Sequence, residues 1–120
     1  MKLNQIVEKL NLEARVAVNN LDAKVRNGYV SDLLSDVLAN SDENDLWITL
    51  QIHPNIVAIA SMKGLSGIVI INAREPEEQT LEKAKEKGLP IMVSDMSAFE
   101  LSGRLYASGL SGAENDNEGI

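Results

Sequence analysis

Residues 46–106 predict an α/β fold, a small three-layer domain with a mainly parallel sheet. Three observations carry that expectation. Strand-like and helix-like segments alternate without interruption through this stretch. Residues 68–71 and 91–93 are continuous apolar runs, the pattern of strands covered on both faces. The segments between strands are long enough for the helical crossovers that parallel neighbours require.

The elements follow in order. Leu3, Ile6, Val7 and Leu10 recur at helical spacing, so a first helix is expected over 3–10, ending near Asn11. Leu12, Ala14, Val16 and Val18 then alternate with Glu13, Arg15 and Ala17, the period of a strand. Asn19-Asn20 marks a turn, and residues 21–25 can return as a second short strand. Asn27-Gly28 reads as a further turn, because both residues tolerate positive φ. Leu33, Leu34, Val37 and Leu38 fit one face of a helix over 30–40, with Ser31 or Ser35 placed to cap it. Residues 41–45 form an acidic loop. The extra strands of this N-terminal part are expected at a sheet edge.

The pattern sharpens from Leu46. Residues 46–51 read as a strand, and Pro54 stands where a first helical residue should, opening a helix that Lys63-Gly64 ends. Residues 67–72 form the second strand. After Pro76 a helix spans 77–87, with Glu77 and Glu78 in its first turn and Lys83, Lys85 and Lys87 towards its end, as the helix dipole favours. Gly88 is placed to terminate it, and Pro90 prevents continuation. Residues 91–94 make the third strand. Ser97-Ala98-Phe99-Glu100 has the form of a capping box at the head of the last helix.

Composition bounds the chemistry. The 120 residues suffice for one domain, taken as 1–110, followed by a small, polar, acidic tail over 111–120 that is expected to be disordered. Absence of cysteine excludes disulfides and thiolate metal sites, and a single histidine excludes a multi-histidine centre. The net charge is −7, of which the tail carries −3. Such a balance lacks the basic footprint that nucleic acid or an anionic membrane demands. No apolar run approaches the thickness of a bilayer, and the N-terminal stripe is broken by charges, unlike a signal peptide. A cytoplasmic protein is expected.

In an open parallel sheet, ligands lie beyond the carboxyl ends of the strands. Those ends carry Thr49, Gln51, His53 and Asn55, then Asn72 and Arg74, and finally Ser94, Asp95 and Ser97. They form either a polar crescent that binds a small anion with the help of helix N-termini, or loop residues that satisfy helix ends. His53 ahead of Pro54 has no nucleophile at a triad spacing and reads first as a cap. Asp32 and Asp36 are four apart and would share a helix face, a pair able to hold Mg²⁺ with Asp45 or simply a solvated edge. Trp47 reads as core. No glycine-rich phosphate loop stands between a strand and a helix. No cofactor or metal is expected.

Several stretches closely resemble stand-alone DRTGG-domain proteins: residues 28–37, Trp47-Ile48-Thr49-Leu50-Gln51, His53-Pro54-Asn55-Ile56-Val57-Ala58, and Ser97-Ala98-Phe99-Glu100-Leu101 with Gly103-Arg104-Leu105-Tyr106. The likeness spans about residues 1–110. It implies a fold like the N-terminal domain of HPr serine kinase and the first domain of Mur ligases. It also implies kinship with regulatory modules inserted in phosphotransacetylases and CBS-domain pyrophosphatases. Stand-alone members accompany hydrogenase subunits and small serine-kinase-like proteins in anaerobic bacteria, which implies partners of those kinds. Of the name-giving motif, Asp22 and Gly28 persist, with Ala23 in place of Arg and Asn27 in place of the first Gly. The kinase P-loop belongs to a separate domain absent from these residues, so kinase activity does not carry over. The function expected is a non-catalytic regulatory or protein-interaction module, working as a homodimer. The alternative is a sensor that binds a nucleotide or phosphorylated metabolite at the strand ends.

Overall fold

The three most apolar strands occupy the middle of the sheet, where both faces are covered. The computed structural model describes residues 1–112. In chain order the elements are α1 (Leu3–Lys9), β1 (Glu13–Val16), β2 (Gly28–Val30), α2 (Leu34–Asn40), β3 (Leu46–Thr49), α3 (Asn55–Lys63), β4 (Gly67–Ile70), α4 (Glu78–Lys87), β5 (Ile91–Val93) and α5 (Ala98–Ala107). The sheet order is β1-β5-β4-β3-β2. Strands β2 to β5 are parallel, and β1 runs antiparallel to β5 at one edge.

Because β2 to β5 are laid down side by side in one direction, their crossovers of like hand place α2, α3 and α4 on one face. Trp47, Ile68, Ile70 and Ile91 point to that face and pack with Val37, Ile56, Val57, Ala60 and Ala84. The intervening residues Leu46, Ile48, Val69 and Met92 point the other way, against Leu3 and Ile6 of α1 and Leu101 and Leu105 of α5. The period-two alternation of strand side chains thus builds two cores on one sheet, the three-layer α/β architecture. Trp47 is fully buried, and its indole N–H donates to the Ser31 carbonyl at 2.8 Å.

The helix punctuation follows the sequence. Gly64 and Gly88 end α3 and α4 with φ near 67°, a conformation that glycine adopts without a Cβ penalty. Ser97 Oγ accepts the Glu100 N–H at 3.2 Å, which is half of the capping box; the Glu100 carboxylate is bonded instead to Arg104.

The N-terminal part departs from expectation at several points. The strand expected from Leu12 to Val18 is confined to β1, because Ala17 turns left-handed (φ 59°) and starts a 3₁₀ turn at Val18–Asn20. Residues 21–25 form no strand; only Lys2 and Lys24 make an isolated antiparallel bridge. Asn27-Gly28 is not a turn. Neither residue has positive φ, Asn27 is buried, and Gly28 opens β2 alongside Leu46. The helix expected from residue 30 starts only at Leu34, and neither Ser31 nor Ser35 caps it. Ser31 Oγ accepts the Leu33 N–H in a local turn before the helix.

The acidic tail expected from 111 lies, from residue 113 onward, outside the described residues. Ser111 itself is tied in, its carbonyl accepting the Gly28 N–H at 2.8 Å. Among the described residues no helix is long and apolar enough to cross a membrane.

Candidate functional site

The carboxyl ends of the parallel strands meet around the β3–α3 connection, which begins Leu50-Gln51-Ile52. Asp32, between β2 and α2, controls its first half. Its Oδ1 accepts the Thr49 hydroxyl at 2.8 Å and the Leu50 N–H at 2.7 Å, while its carbonyl accepts Gln51 Nε2 at 2.9 Å. Thr49 Oγ1 in turn accepts the Gln51 N–H at 3.1 Å. Arg74 reaches across from the β4–α4 connection and donates to the Leu50 carbonyl at 2.7 Å. The Ile52 carbonyl accepts the Glu77 N–H at 3.2 Å and the Thr80 hydroxyl at 2.6 Å. Leu50, Gln51 and Ile52 are each therefore held through the backbone or the side chain.

Thr49, Gln51 and Arg74 are brought together here. His53 and Asn55 lie apart from them. His53 Nδ1 accepts the Asn55 N–H at 3.1 Å, at the first turn of α3. Both residues border a shallow depression between α3 and α4 whose other walls include Val57, Lys83 and Lys87. Asn72 faces the β5 side, where its N–H donates to the Met96 carbonyl at 2.9 Å and the next N–H, of Ala73, to the Ser94 carbonyl at 2.8 Å. Both Asn72 and Ala73 have left-handed φ, 59° and 56°. Here β4 sends its helix to one face and β5 to the other, so this is the switch point of the sheet. The backbone bonds between the two loops occupy the crevice.

Asp32 was not legible as part of this network, because its sequence signal placed it on a helix with Asp36. The two carboxylates do not share a helix face: Asp32 precedes α2 and joins β3, whereas Asp36 accepts from Tyr29 Oη at 2.8 Å and Asn40 Nδ2 at 2.9 Å. Those bonds, Asn40's first, hold the Asp36 carboxyl below its usual range. The same sheet end carries another polar cluster on the β1 side. Arg15 forks onto Glu75 at 2.9 and 2.7 Å and also contacts Glu13 at 3.0 Å. The hydrogen bonds from Arg15 lower the Glu75 pKa. Ser94, Asp95 and Glu75 share a polar recess with these groups.

No family model and no curated protein matches the chain. Among solved structures it is similar to the CBS and DRTGG domains of the regulatory region of Clostridium perfringens pyrophosphatase, crystallised with its activator diadenosine tetraphosphate. The TM-score is 0.69 at 18% identity, over 97% of this chain and 51% of that one. This chain thus spans about half the length of the regulatory-region chain it matches. The likeness is one of fold, and at that level the chain is built as a DRTGG-like α/β domain.

Proposed function

We propose that this chain is a regulatory module that works as a homodimer and docks on a protein partner, without a reaction of its own. One observation supports this reading most directly. The polar groups at the strand ends, where a substrate would be held, are bonded to one another and to the backbone of the β3–α3 connection. Their arrangement stabilises a loop; using them for turnover would require breaking about four hydrogen bonds, each worth roughly 0.5–3 kcal/mol. The fold it shares with a pyrophosphatase's regulatory region agrees with such a role. Sedimentation of the chain at tens of micromolar tests the dimer, and a monomer throughout that range would remove it.

A second reading has its own support. The regulatory region of which this chain matches about half was crystallised with a dinucleotide activator, and Arg74 is an exposed cation at the strand ends. In this reading the module senses an adenine nucleotide or another phosphorylated metabolite. Diadenosine tetraphosphate at about 100 times its dissociation constant would add roughly 2.7 kcal/mol of stability, raising the unfolding midpoint by about 10 °C. Arg74→Ala should then weaken that ligand by about 1.5–3 kcal/mol. A thermal-shift screen against nucleotides decides the matter: no shift leaves the protein-docking reading alone, and a shift unchanged in Arg74→Ala places the ligand elsewhere.

A further inference from the structure

Helix α5 carries its largest side chains on the wrong side for a monomer. Phe99 is 89% exposed and Tyr106 73%, while Leu101 and Leu105 of the same helix fill the core. Phe99, Gly103 and Tyr106 lie three and four residues apart, on one outward stripe. Gly103 interrupts the helix interior with a poor helix former, and nothing lies within 4 Å of where its Cβ would stand. Among the described residues no neighbour accounts for that choice, whereas a second surface approaching the helix closely would.

Beside this stripe, a cavity of about 130 Å³ opens between α5 and β2, lined almost wholly by apolar atoms, with Val30, Ile48, Leu105, Tyr106 and Leu110 among its walls. An apolar cavity of roughly 150 Å³ holds a benzene ring, so the size suits one phenyl group. The Phe99 ring of the same chain is not among the lining, and its Cα stands about 10 Å along the helix from that of Tyr106.

We propose that α5 is the homodimer interface, with two copies of the helix packed antiparallel across a two-fold axis near Ser102-Gly103 and Phe99 of each copy seated in the other's cavity. This rests on the dimeric reading above and gives it an address. The occupant is identified by self-complementarity. An axis at that point sets residue 99 opposite residue 106 of the second copy, so knob and hole meet twice. It also brings Glu100 to within one residue of the level of Arg104 of the second copy. Within each copy the two are bonded along the helix at 2.7 Å and lie on one flank of the stripe, and the flank that meets its own copy in an antiparallel pair presents opposite charges at each end. The two aromatic side chains supply about 300–400 Å² per copy, against roughly 800 Å² for a standard interface, and the cavity rim with half-exposed Val30 extends the patch.

Sedimentation equilibrium on the whole chain tests this with three variants. Phe99→Asp should weaken the dimer at least tenfold, with the circular dichroism and melting point of the monomer unchanged, since the ring is exposed. Glu100→Arg should weaken it several-fold by setting like charges near each other, and Glu100→Arg combined with Arg104→Glu should return the dissociation constant to within about twofold of the parent. A dimer undiminished by Phe99→Asp, or no recovery in the charge exchange, removes α5 from the interface while the dimer stands. A parent chain that is monomeric throughout removes both, and leaves this face to a different protein.

Discussion

Among the described residues, Asp45 Oδ1 is the buried side-chain atom left without a hydrogen-bond partner. The other carboxylate oxygen accepts the Asp42 N–H at 2.8 Å, and the residue is only 3% exposed at the foot of β3. Burial raises its pKa above the ordinary 3.8, although the Asp42 N–H bond and the charges of Arg26 and Lys63 oppose the shift. A raised value means that the folded protein holds the proton more tightly than the unfolded chain. The stability this group contributes is then complete below the ordinary carboxylate value and is lost as pH rises through the folded value. At neutral pH the charge is a cost. Asp45→Asn keeps the acceptor for Asp42 and removes the charge, so it should be neutral or stabilising by about 1 kcal/mol at pH 7. Urea midpoints at about pH 4 and pH 7 should show the variant gaining on the parent as pH rises; a variant that loses ground over that interval would show the charge to be favourable.

At the scale of elements, the β4–α4 connection holds two successive non-glycine residues in the left-handed region, Asn72 and Ala73. Asparagine tolerates that conformation, but alanine has no side-chain bond to offset a penalty of roughly 1–2 kcal/mol. Ala73→Gly relieves it and gives back part of the gain as unfolded-chain entropy, up to about 1 kcal/mol. A net stabilisation of about 0.5–1 kcal/mol is expected, seen as a melting point a few degrees higher. An unchanged or lower midpoint would mean that the bonds from these two N–H groups to the β5 loop already offset the strain. That strain was not legible in Asn72-Ala73, because nothing in the dipeptide calls for positive φ; the β5 loop imposes it. The legible elements were those whose own sequence decides them: α3 and α4 with proline ahead and glycine behind, β4 and β5 with continuous apolar runs, and β3 with Leu46-Trp47-Ile48. Strand β2 was hidden because Gly28-Tyr29-Val30 is short, begins with a turn signal, and becomes a strand only by pairing with β3. The candidate site divides in the same way. Thr49, Gln51 and Arg74 could be placed from the strand ends, whereas Asp32 could not, since its position depends on where β2 stops and α2 begins.

For the whole molecule, the −7 charge sets a condition on any dimer. The radius of gyration is 13.0 Å, so two copies in contact have centres roughly 30 Å apart. At about 10 mM salt the screening length is also near 30 Å, and two bodies of this charge repel by about 2–3 kcal/mol; at about 150 mM, with a length near 8 Å, almost none of that remains. The exposed Glu100–Arg104 contacts work in the opposite sense, but such pairs are worth at most about 1 kcal/mol each and are screened as well. Repulsion between the bodies is therefore the larger effect, and the buried aromatic contacts depend little on salt. The dimer should tighten by about an order of magnitude when ionic strength rises from 10 to 150 mM, measured by sedimentation at fixed pH. Weakening over the same range would mean that ion pairs dominate the interface, and that the aromatic stripe of α5 lies outside its centre.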